Sequence, residues 1–232
     1  MTDSSAAGQW SSSPETFADT LQELKQTGCM VLVVEDEGAA AHEGCDRLLG
    51  SDDAADRRRL FVQTDAATSS RLTAAGRRDR TTERVARLRT ASRTAAATAD
   101  GASGGPGAAS AVASTVDDLA ADVRDAVRAL EPATGYEAGQ LRVCVDALGD
   151  MVAATDTADA TGFVADVRAL VDEHDGLGHV HVTQETPGEA AEALLPQMDA
   201  VVEVAGDDED PRHRWHLPGE SLTSAWFELE RP

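Results

Sequence analysis

The chain has 232 residues, 42 acidic against 20 basic side chains, and a net charge of −22. Such self-repulsion favours expansion in dilute buffer. It is screened in molar salt, where the Debye length falls to about 3 Å, so the composition predicts a halophilic, salt-rich cytosol rather than a basic ligand. The longest pure apolar run, Cys29 to Val34, excludes a bilayer span.

The N-terminus, "MTDSSAAGQWSSSPE", is polar and lacks the apolar core of a secretory leader, which predicts a cytoplasmic protein. Residues 1–13 read as disordered, and residues 14–232 as a single domain. Phe17, Leu21 and Leu24 recur at helical spacing over 15–26. "CMVLVV" follows Gly28 and is apolar on both faces, as expected of a strand in a parallel sheet covered by helices. "GAAAHEGCDRLLG" reads as a helix ending at Gly50, and "RLFVQT" (59–64) as a second strand.

Residues 57–93 form an Arg-rich segment and residues 95–115 a low-complexity loop. In "VDDLAADVRDAVRAL", Val116, Leu119, Val123, Val127 and Leu130 make one apolar stripe, with Thr115 as N-cap. "LRVCVDAL" is a buried strand, "GFVADVRALVDEHDG" an amphipathic helix, "GHVHVTQ" a strand, "GEAAEALLPQM" a helix and "DAVVEVAG" a strand. Strands are expected near 29–34, 60–63, 141–146, 178–183 and 200–204, with an antiparallel hairpin from 213 to 229. This alternation predicts an α/β fold with a mostly parallel central sheet flanked by helices.

The strand–turn–helix at 28–45 is where a P-loop protein binds phosphate, and there the chain reads "EDEGAAAHE". A Walker A loop needs several glycines, a Lys for the phosphate charge and a Ser or Thr for magnesium. This stretch has Gly38, no Lys, no Ser or Thr, and the acids Glu35, Asp36 and Glu37. At ~5 Å each like-charge pair costs about 3 kcal/mol at an effective dielectric of 20. A helix N-terminus offsets only about 0.3–1 kcal/mol. ATP binding of the conventional kind is expected to fail, and the three acids to cap the helix after the first strand.

The serial order of these pieces resembles the RecA/KaiC-like P-loop ATPases, and within them a haloarchaeal, transducer-like group with a degenerate nucleotide site. The likeness covers about residues 20–230: "GCMVLVV" sits at the phosphate-loop strand, "LRVCVDAL" at the Walker B strand with Asp146 on the metal side, and "QMDAVVEV" with "RWHLPG…WFELE" at the closing strands. The resemblance implies a catalytic pair of glutamates after the second strand, but "FVQTDA" offers Asp65 and then Ala66. It therefore implies a pseudo-ATPase with no bound cofactor.

Other constellations are thinner. Cys29, Cys45 and Cys144 lack C-x-x-C spacing and read as thiols of a reducing compartment, Cys29 and Cys144 as buried ones. His179 and His181 share one strand face, and His213 and His216 flank Trp215, but no cysteine joins them at metal-ligand spacing, so no metal is expected. No Gly-x-Ser-x-Gly elbow is present. Residues 57–93 hold 11 Arg against Asp65, Asp79 and Glu83, a local charge of +8 (11 − 3). As a helix, Arg77, Arg80, Arg84 and Arg87 would line one side. They would then offer a partner surface, or neutralise the protein's own acids, which the net charge favours. Molar salt weakens phosphate contacts and stacking aromatics are absent, which argues against nucleic acid.

The expectation is thus a non-catalytic RecA/KaiC-like domain serving as a regulatory or signalling interaction module with a protein partner, a homo-oligomer remaining open. The alternatives are a nucleotide-binding protein with a non-standard loop and a DNA-associated regulator using the Arg-rich segment.

Overall fold

A computed structural model describes residues 14–35, 45, 48–50, 56–64, 82–89, 112–183, 186, 188–206 and 210–229. The expectations for 1–13, for Asp36, Glu37, Gly38, Asp65, Arg77 and Arg80, and for 95–111 lie outside these residues.

The described strands are β1 (Cys29–Glu35), β2 (Arg58–Thr64), β3 (Glu83–Leu88), β4 (Val112–Ala113), β5 (Leu141–Asp146), β6 (Leu177–Val182), β7 (Ala200–Ala205), β8 (Arg212–Leu217), β9 (Leu222–Thr223) and β10 (Phe227–Glu228). The helices are α1 (Pro14–Thr27), α2 (Val116–Leu130), α3 (Leu148–Ala154), α4 (Thr157–Glu173) and α5 (Gly188–Leu194). All described strands join one sheet in the order β10-β8-β7-β1-β6-β5-β2-β3-β4, with β9 on β8. From β7 to β4 every pairing is parallel. The C-terminal strands are antiparallel. The expected strands and the C-terminal hairpin region are therefore present, and the sheet is mostly parallel with flanking helices.

Both faces are covered. On one, the α2 stripe (Leu119, Val123, Val127, Leu130) and α4 (Phe163, Val164, Val167, Val171) pack on Met30, Leu32, Val143, Val145 and Val180. The Thr115 side chain caps α2 by accepting from the Asp118 amide. The Asp156 side chain does the same for α4 from Asp159. Gly178 permits the close approach of α4 and β1: a Cβ there would lie 2.4 Å from Met30 Sδ and 3.0 Å from Val171 Cγ2. On the other face, α1 lays Phe17, Leu21 and Leu24 against Val31, Val33 and Val202. Next to it, Cys45, Leu49, Phe61 and Cys144 form a smaller cluster, with Cys45, Leu48 and Leu49 in helical conformation.

The Arg-rich segment departs from expectation. Residues 83–88 form β3, paired in parallel with β2 (Leu60↔Arg84, Gln63↔Arg87). Arg84 and Arg87 are three residues apart on a strand and so emerge on opposite faces; they do not share a helical side. Sheet pairing, with Ala86 and Leu88 buried in the main core, overrides the helical spacing. The low-complexity loop is also shorter than read, because Val112–Ala113 forms β4.

Candidate metal centre

Parallel strands deliver their C-terminal ends to one edge of the sheet, where α/β proteins bind ligands. Glu35 closes β1 and Asp146 closes β5 there, with β6 between them. The start of the helix that Glu35 was expected to cap lies outside the described residues. The Glu35 carboxylate is buried and its Oε1 lies 2.5 Å from His181 Nδ1. That pairing fixes the tautomer: Nδ1–H donates to the carboxylate, and Nε2 faces the other way. This buried acid–imidazole pair stands at the C-terminal end of β1. Asp146 is half-buried at its strand end, and in the adjacent strand Thr64 donates to Asp150 at 2.6 Å.

Beneath this edge the structure assembles residues that are far apart in the chain. Cys144 on β5 is directly opposite His179 on β6. His181 lies two residues further along the same face of β6. Cys45 comes down onto them from the segment after β1. Its Sγ is 3.5 Å from Cys144 Sγ and 3.4 Å from His179 Nε2. The imidazoles of His179 and His181 meet edge to face at 5.0 Å. The ligand atoms of Cys45, Cys144, His179 and His181 all lie within 4.8 Å of one another, and the four residues are between 0% and 3% exposed. None of the three cysteines is in a disulfide.

Two buried arginines hold Cys45 in place. Arg59 donates to the carbonyls of Leu49 (3.2 Å) and Gly50 (3.0 Å). Arg142 donates to Leu48 (3.1 Å) and Gly139 (2.9 Å). These guanidiniums satisfy the last carbonyls of a helical turn and complement its dipole. Arg59 also sits 3.6 Å from Glu83, and Arg57 donates to the Gly139 carbonyl at 2.5 Å. The Arg cluster at 57–59 thus serves the fold in part. A hydrogen bond with Cys144, then the charge of His179 and bonds with both histidines, hold the Cys45 thiol well below its usual range, against a burial that raises it.

Sequence spacing missed this group. It set His213 and His216 beside His179 and His181 and left the cysteines out. In the fold His213 stacks at 5.6 Å on Phe227, and His216 bonds Glu203 at 2.8 Å. The cysteines take their places. Two thiols and two imidazoles at these separations are suited to a soft or borderline divalent cation.

A family model described as a family of unknown function (DUF7504) matches residues 28–204. No curated protein matches the chain. Among solved structures, it is similar to the crystal structure of the KaiC-like protein PH0186 from the hyperthermophilic archaeon Pyrococcus horikoshii OT3. The TM-score is 0.52 over 87% of this chain and 85% of that one, at 8% identity. What the two share is the fold, a RecA-like mostly parallel sheet flanked by helices. Among the described residues no helix is long and apolar enough to cross a membrane.

Proposed function

We propose that this chain, which belongs to the DUF7504 family of unknown function, is a non-catalytic RecA-like domain that serves as a regulatory or signalling interaction module. The observation that supports it is Glu35: the end of β1 carries a buried carboxylate bound to His181 where a nucleotide enzyme needs an open, phosphate-binding turn. The sequence that follows it adds acid and no lysine. Three negative charges repel a triphosphate, and Asp146 alone cannot hold magnesium against it. The module would work in a salt-rich cytosol, which screens its net charge of −22, and its partner would be another protein. A DNA-binding role draws no support from β3, whose Arg84 and Arg87 face opposite ways.

Phosphate release from Mg-ATP in molar salt tests this reading. Wild type is expected to equal the buffer blank, and Asp146→Ala to equal wild type. Turnover above the blank that Asp146→Ala abolishes would make the protein an ATPase.

A further inference from the structure

We propose that Cys45, Cys144, His179 and His181 bind one Zn²⁺ in a closed tetrahedral site, with Glu35 as the outer partner that orients His181. Tetrahedral zinc with bonds of about 2.3 Å to sulfur and 2.0–2.1 Å to nitrogen sets ligand atoms about 3.8 Å apart for S–S and 3.5 Å for S–N. The observed separations are 3.5 Å for Cys45 Sγ to Cys144 Sγ and 3.4 Å for Cys45 Sγ to His179 Nε2. A disulfide would bring the sulfurs to about 2.05 Å. The two observed separations match the edges of a zinc tetrahedron, and all four donor atoms lie within 4.8 Å of one another.

The charge balances as well. Two thiolates and two neutral imidazoles carry −2, which a divalent cation cancels, so the loaded site buries no net charge at its centre. His181 turns Nδ1 to Glu35 Oε1 at 2.5 Å, which leaves Nε2 for the metal. A ligating imidazole held by a carboxylate behind it is the usual outer arrangement of a zinc histidine. All four ligands are protein side chains and all are buried. No coordination position is left for water or substrate, so the ion is structural rather than hydrolytic. It ties Cys45 to β5 and β6. The site stands whether or not any nucleotide binds.

The test is metal analysis of the full, untagged chain, purified in reductant and high salt. About one zinc per chain is expected after dialysis against metal-free buffer. The stripped protein should take up Co²⁺ with the intense visible bands of tetrahedral coordination and a thiolate-to-cobalt charge-transfer band. Glu35→Gln should weaken zinc binding by about 10–100-fold, the usual cost of losing an outer partner. Cys45→Ser and Cys144→Ser should each weaken it by more than that, and Cys29→Ser should leave it unchanged. Should the ligand variants fail to fold, wild-type stoichiometry and the Co²⁺ spectrum decide alone. A folded wild-type chain that takes up no zinc and gives only an octahedral Co²⁺ spectrum would overturn the site. So would zinc that persists in folded Cys45→Ser and Cys144→Ser, or a Cys45–Cys144 disulfide in the reduced preparation.

Discussion

Phe61→Ala is expected to lower the unfolding free energy by about 3–5 kcal/mol, the usual range for truncating a fully packed phenylalanine. Phe61 is 2% exposed on β2 and packs against Cys45, Leu49 and Cys144, with Val85 beside them. Its ring is the apolar floor on which the Cys45 segment rests. Removing it leaves a cavity bounded by β-strands on one side, which have little freedom to close in. Urea unfolding of both proteins in the same molar salt gives the difference. A loss below about 1 kcal/mol, which well-packed cores show only for near-isosteric changes, would mean that this segment does not lie on β2.

Cys29 is expected to make the protein alkali-sensitive. Burial, with the charge of Asp199 behind it, pushes its thiol from 9.0 up to about 12. In the unfolded chain the thiol ionises near the lower value, and in the folded protein it keeps its proton. Between these two pH values the folded state holds one proton more than the unfolded state. Stability therefore falls as pH rises, by about 1.4 kcal/mol per unit, and is unaffected below the lower value. Tyr136, whose hydroxyl is also raised by burial and donates to the Val127 carbonyl at 2.6 Å, adds a second loss of the same sign at higher pH. Cys29→Ala should keep the tyrosine contribution and lose the first slope. Urea unfolding at a series of alkaline pH values measures both proteins. Parallel pH dependences would show that Cys29 is not the titrating group.

The fold was readable because its strongest signals are local. "CMVLVV", "LRVCVD" and "AVVEVA" are apolar runs too short for helices, and the Val116–Leu130 stripe is too regular for a strand. β3 was hidden because "ERVARL" carries three charges and only two of its residues are buried. Its strand character comes from pairing with β2, which no local pattern encodes. The metal-capable group was hidden for the same reason on a larger scale. Cys45 is 99 residues from Cys144 and 134 from His179, and what unites them is the β5–β6 register that sets Cys144 opposite His179. The pattern "HVHV" in a fully buried strand was the available sign. Two imidazoles on one face of a central strand need partners inside the fold, and buried cysteines are natural ones. Glu35 was legible as an acid at the end of the first strand, but its pairing with His181 needed the neighbouring strand.

The central claim is that the end of β1 has been given over to a buried acid and no longer receives a nucleotide. Calorimetric titration of the full chain with Mg-ATP in molar salt tests it most directly. No binding tighter than about millimolar, a ceiling of roughly −4 kcal/mol, is predicted for wild type, with Asp146→Ala indistinguishable from it. A micromolar isotherm with one site per chain, lost in Asp146→Ala, would contradict it.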